Sequence, residues 1–116
     1  MAVSENMMRD DVGKEFLTIQ YGLLTKCDPN ATEVSIPCGV EDIGTMAFAG
    51  CDKLKKVTIT SSVKYVGGSA FAGCVALEEI RYRGTVERWN DTQKDSGWSD
   101  GMSVTTVHCA DGDVPV

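Results

Sequence analysis

The side chains able to do chemistry are few, and their spacing argues against catalysis. His108 is the sole histidine, so any Ser-His-Asp or Cys-His arrangement must run through it. Cys109 stands beside it, but adjacent residues on a strand point to opposite faces, so the two would not form a nucleophile–base pair. Gly67-Gly68-Ser69-Ala70-Phe71 begins like a strained nucleophile turn, yet Phe71 stands where that motif needs glycine. No GxxxxGK[ST] phosphate loop occurs. Asp111-Gly112-Asp113 is a fragment of a calcium loop without the other ligands or the closing glutamate, and it reads as a turn. The five cysteines are Cys27, Cys38, Cys51, Cys74 and Cys109. An odd count does not suggest a complete disulfide framework, and the closest two are eleven residues apart, so no CxxC zinc pair exists. Asn30-Ala31-Thr32 and Asn90-Asp91-Thr92 match the glycosylation sequon, a short and common pattern, and both are expected in loops. No cofactor and no metal is indicated. The expectation is a chain that is not an enzyme; a hydrolase using an unrecognised carboxylate site is the weaker alternative.

The elements that position these residues are those of one domain. The chain has 116 residues, enough to bury roughly two-thirds of its unfolded surface around a single core. A net charge of −6 argues against nucleic acid and anionic membrane as partners, because both need a basic face. No apolar run approaches the roughly 18 residues of a membrane span. Met1 to Phe16 mixes Glu5, Arg9, Asp10, Asp11 and Lys14 with a few apolar residues and has no signal-peptide h-region. A cytoplasmic protein and a trimmed piece of a secreted one are both compatible with that.

An internal repeat organises the rest. Ala47-Phe48-Ala49-Gly50-Cys51 recurs as Ala70-Phe71-Ala72-Gly73-Cys74, 23 residues on. The same offset aligns Val34, Val57 and Ile80; Ile36, Ile59 and Tyr82; Val40, Val63 and Val86; Ile43, Val66 and Trp89; Gly44 and Gly67; Leu54 and Leu77. In Leu54-x-x-Val57-x-Ile59, strand alternation puts Val57 and Ile59 on one face and Thr58 on the other. Gly67 and Gly68 permit a tight bend, and Ala70, Phe71 and Cys74 pack one helical turn or a short 3₁₀ piece against the strand. A unit of this size cannot bury its own apolar face, so neighbouring units must stack, and the period lies within the range of leucine-rich repeats.

Ile36-Pro37-x-x-Val40-x-x-Ile43-Gly44-x-x-Ala47-Phe48-x-x-Cys51-x-x-Leu54 resembles the BspA-type leucine-rich repeat. Tyr21 to Lys26 with Ala31 to Pro37 looks like the entry into such an array. Gly84-Thr85, Trp89, Trp98 and Thr106 to Gly112 look like its C-terminal closing segment. The resemblance covers about residues 16 to 113. It departs at Thr60, where the family usually has proline, and in holding only two full units. It implies a module of bacterial surface or secreted proteins that mediates adhesion or protein–protein contact, and hence an extracellular setting.

The expected fold is therefore an α/β or mainly β solenoid: a short right-handed leucine-rich-repeat superhelix with parallel strands and a C-terminal cap. Residues 1–15 read as an N-terminal arm or short helix, and 16–116 as the repeat domain, capped from about 84 to 113. Phe16 to Gln20 and Tyr21 to Lys26 read as the first strands, Cys27 to Asn30 as a turn, 90–103 as a polar loop and Val104 to Cys109 as a last strand. Trp89 and Trp98 are expected to cover the last coil. Cys51 and Cys74 are expected as buried, reduced thiols on neighbouring coils. Residues between the core positions should point outward on the concave side: Glu33, Ser35 and Pro37, then Lys56, Thr58 and Thr60, then Glu79, Arg81 and Arg83. These nine are expected to form a solvent-open grid that binds a protein or glycan partner. The alternative is a structural piece that closes a longer array and has no ligand, and self-association through the solenoid ends is a further option.

Overall fold

The computed structural model describes residues 12–116. A single 3₁₀ turn, Lys14–Phe16, leads into strands β1 (Leu17–Gln20) and β2 (Leu23–Cys27). There follow β3 (Glu33–Ser35), β4 (Asp42–Ile43), β5 (Lys56–Ile59), β6 (Tyr65–Val66), β7 (Glu79–Tyr82), helix α1 (Val86–Asp91), β8 (Gln93–Lys94), β9 (Thr106–Cys109) and β10 (Gly112–Pro115). The strands form two five-stranded sheets, ordered β1-β2-β4-β6-β8 and β10-β9-β7-β5-β3. Each coil thus gives one strand to each sheet, and the core lies between them. The result is a mainly β solenoid with parallel stacked strands, as expected.

The register follows the repeat. Val34, Val57 and Ile80 stand side by side on β3, β5 and β7, and Ile80 pairs with Val107 on β9. Opposite them, Leu24, Ile43 and Val66 form the matching rung of the other sheet. Every residue assigned to the core from the repeat except Val86 is buried, from Val34 through Phe71 to Trp89. Burying one such side chain is worth about 1.5–3 kcal/mol relative to leaving it exposed. A single coil has no second layer to bury it against, so the energy appears only on stacking.

The segments between the sheets are successive turns, without a helical assignment. Ala47 N–H donates to Gly44 O and Cys51 N–H to Phe48 O; Ala70 and Cys74 repeat this to Gly67 O and Phe71 O. Left-handed residues interrupt each run, Met46 and Gly50 in one coil and Ser69 and Gly73 in the next. They free backbone groups to bond across coils: Phe48 N–H reaches Ala70 O at 2.7 Å and Gly50 N–H reaches Ala72 O at 2.9 Å. Gly67 is required by this stacking, since a Cβ there would lie 2.5 Å from the Thr45 nitrogen of the preceding coil. Phe48 and Phe71 stack at 4.8 Å between centroids.

The third coil departs from the 23-residue spacing, which corrects the alignment of Val86 and Trp89. On β8, Lys94 stands beside Val66, the position that repeat spacing gives to Trp89. The extra residues are taken up by α1, which Thr85 caps by accepting from Arg88 N–H at 3.1 Å. Val86 is half-buried at the start of α1, and Asn90 lies in its last turn instead of in a loop. The polar stretch from 90 to 103 therefore contains the end of a helix and a short strand. Trp89 is buried through α1, its ring 5.0 Å from Tyr82. Trp98 meets Phe71 and Trp89 edge-on at 6.1 and 5.8 Å, so both tryptophans cover the last coil. Lys94 Nζ donates to Trp89 O and Thr92 O, each at 2.8 Å, at the end of α1.

Each end of the described solenoid carries an antiparallel hairpin, β1–β2 on one sheet and β9–β10 on the other. The expected last strand, Val104 to Cys109, narrows to β9; the turn expected at Asp111-Gly112-Asp113 lies instead at Ala110-Asp111, and Gly112 and Asp113 belong to an added strand, β10. The Asp28-Pro29-Asn30 turn forms as expected, with Asn30 N–H donating to Asp28 Oδ1. Most of the arm or short helix expected over 1–15 lies outside the described residues.

Candidate ligand-binding groove

Strands β3, β5, β7 and β9 lay their non-core side chains in rows across the outer face of their sheet. Ser35, Thr58, Arg81 and His108 form one row. Glu33, Lys56 and Glu79 form the next. The rows border a groove of about 610 Å³ lined by Glu33, Ser35, Lys56, Thr58, Arg81 and Arg83 of the expected face. Glu79 instead borders an adjoining depression with Glu33 and Lys56.

The expected solvent-open grid needs correction. Glu33, Arg81 and Arg83 are exposed, and Pro37, Lys56 and Glu79 are half-buried, but Ser35, Thr58 and Thr60 are buried. The reason is length: on strands about 4.8 Å apart, short side chains sit below the reach of longer neighbours. Val12 adds to this at β3, where its carbonyl accepts from Ser35 N–H at 2.7 Å. Thr60 turns to Ser62, with their hydroxyl oxygens 3.4 Å apart, and does not line the groove.

Charge is patterned along the rim. Glu79 pairs with Arg81 Nε at 2.5 Å and with Lys56 Nζ at 4.0 Å. Arg81 is more than half exposed, so water and salt screen its pair, which contributes about 0–1 kcal/mol; its effect is to orient the guanidinium. His108 was not among the expected face residues. It lies instead in the same row as Arg81 and lines the groove with Cys109 and Ala110. Its Nδ1 is 2.9 Å from Asp113 Oδ1. A carboxylate only accepts, so Nδ1 carries the proton and Nε2 is left as an acceptor in the neutral ring. The signal was present: once Val107 is placed on the rung of Ile80, alternation puts His108 beside Arg81. The offset there is 27 residues instead of 23, and that hid it.

The remaining reactive groups among the described residues are the cysteines. Burial first, then Asp111 and Asp113, raise the Cys109 thiol above its ordinary pKa, which opposes a thiolate beside His108. Cys27, Cys51 and Cys74 form a buried ladder of free thiols, of which only the latter two were paired by the repeat. Cys51 Sγ donates to Cys27 O at 3.7 Å and Cys74 Sγ to Phe48 O at 3.2 Å. The hydrogen bond with Cys51, then burial, push the Cys27 thiol well up; the same bond favours ionisation at Cys51. Burial pushes Cys74 up to about 12. Among the described residues there is no cluster of three or more His, Cys, Asp or Glu able to hold a metal ion. Nor is any described helix long and apolar enough to cross a membrane.

No curated protein and no solved structure matches the chain. A family model does: that of the BspA type leucine-rich repeat region (6 copies), over residues 12–93. That span runs from the groove-lining Val12 to the start of β8 and covers more than half of the chain, with the 23-residue register, the stacked parallel strands and the buried phenylalanine ladder inside it. The chain belongs to the BspA-type leucine-rich repeat family.

Proposed function

We propose that this chain is a non-catalytic binding module that takes a protein or glycan partner on its concave face. The observation that carries the reading is the in-register row Ser35–Thr58–Arg81–His108, contributed by four successive coils and lining one groove. A solenoid presents such a surface because alternation sends every second strand residue away from the core. Arg81 and Arg83 give one part of an acidic chain a basic edge, and arginine recognises carboxylates through paired N–H donors. An adhesion role at the cell surface agrees with the family. One short array offers little contact area, so useful avidity would come from several modules acting together.

A structural reading, in which the chain only terminates a longer array, is favoured by the hairpins at the two ends of the described solenoid. Pull-down from candidate host and matrix proteins, together with a glycan array, separates the two. The comparison is wild type against a folded Arg81→Glu, Arg83→Glu double variant. Loss of a ligand in the variant supports the groove. A ligand held equally by both places the contact elsewhere, and no ligand at all favours the structural reading.

A further inference from the structure

The groove floor holds hydrogen-bonding capacity that the described residues do not use. Ser35 and Thr58 face each other across neighbouring strands, are 4% and 8% exposed, and line the groove. Neither hydroxyl has a hydrogen-bond partner among the described residues. Both hydroxyls open onto the groove, where a ligand that brings its own donors and acceptors takes the place of water.

The groups around the floor restrict that ligand. Glu79 engages Arg81 through Nε, and the guanidinium has further N–H donors to offer a second acceptor. His108 is tied at Nδ1 to Asp113, and Nε2 is the ring nitrogen left to meet a hydroxyl. On the rim Glu33 and Glu79 flank Lys56, and their carboxylates accept hydroxyl donors. A polyacidic peptide would bring further carboxylates beside Glu33 and Glu79. A neutral sugar would engage Arg81 only through hydroxyls and would leave its remaining guanidinium donors without a charged acceptor. A ligand with one carboxylate on a hydroxyl-rich body satisfies both conditions, and neighbouring strands about 4.8 Å apart match the width of a pyranose ring.

We propose that the groove binds a uronic acid residue of an acidic glycan, with its carboxylate on Arg81 and its hydroxyls on Ser35, Thr58 and His108. This rests on the reading of the concave groove as the ligand site. The sugar is held by charge-assisted and hydroxyl hydrogen bonds, and no bond is made or broken.

The test is an amide NMR titration of the whole isotopically labelled chain with D-galacturonate, D-galactose and a Glu-Asp-Glu-Asp peptide. Galacturonate is expected to shift the amides of Ser35, Thr58, Arg81 and His108 and to saturate, while galactose at equal concentration leaves them in place. Thr58→Val, which keeps the side-chain shape and removes the hydroxyl, should weaken galacturonate about fivefold. Arg81→Gln should weaken it more than tenfold, and both variants should keep the wild-type spectrum elsewhere. Galacturonate that fails to shift the row, or galactose that shifts it equally, overturns the proposal. Shifts of the row by the peptide alone overturn the sugar assignment while leaving the groove as a binding site. Shifts confined to residues outside the groove overturn both.

Discussion

Replacing Phe71 by alanine tests the packing of the solenoid at its most enclosed point. Phe71 has no exposed surface. On one side its ring stacks on Phe48, 4.8 Å away and 10° from parallel. On the other it meets Trp98 edge-on at 6.1 Å. A Phe→Ala change in a core costs about 3–5 kcal/mol, and the cost rises with the cavity left behind. Two rigid ring neighbours on adjacent coils limit collapse, so about 4 kcal/mol is expected. Phe48 keeps only one of these ring contacts, and Phe48→Ala is expected to cost about 1 kcal/mol less, the scale of one aromatic pair. Against a domain stability of about 5–15 kcal/mol, the Phe71 loss is a large fraction of the whole. Urea unfolding followed by far-UV circular dichroism measures both variants. A Phe71→Ala cost under about 1.5 kcal/mol, or one no larger than that of Phe48→Ala, would refute the three-ring stack.

Two glycines should respond differently to alanine. Gly67→Ala forces a Cβ to 2.5 Å from Thr45 nitrogen and should lower the urea midpoint strongly, because backbone must part. Gly50→Ala meets no atom within 4 Å and should cost only the left-handed strain of about 1–2 kcal/mol; an equal loss at both positions would contradict the stacked turns. Stability should also fall above about pH 9. Burial holds the Cys74 thiol protonated up to about 12 in the folded chain, whereas the unfolded thiol ionises near its ordinary value. Between these the unfolded state binds fewer protons, so stability declines as pH rises. Urea midpoints at pH 8 and pH 10.5 should diverge more for wild type than for Cys74→Ala, and parallel slopes would show that Cys74 does not contribute.

What could be read from the sequence was whatever the period protects. The aligned apolar positions from Val34 to Tyr82 are all buried, because a rung is specified by its neighbours on both sides. The errors lie where spacing changes. Residues 86–91 fold as α1, shifting the rung from Trp89 to Lys94, and a 23-residue rule carries no information about an insertion. The same change of spacing hid His108 from the groove row. Among the face residues, alternation placed Ser35, Thr58 and Arg81 in one line, but depth depends on the length of adjacent side chains, which a single-strand pattern does not encode. Cys27 escaped the thiol ladder because it sits 24 residues before Cys51.

The backbone bonds between coils make insertions and deletions here a matter of whole numbers. Duplicating residues 44–66 would add one strand to each sheet, lengthen the groove by about 4.8 Å and supply one more column of Lys56, Thr58 and Thr60. Both end hairpins would be left untouched. A duplication of any other length would move every later side chain off its rung, unless the surplus loops out as it does at α1. Groove length in such a fold is therefore quantised, and a lineage could tune the size of what it grips by copying coils without redesigning any one of them.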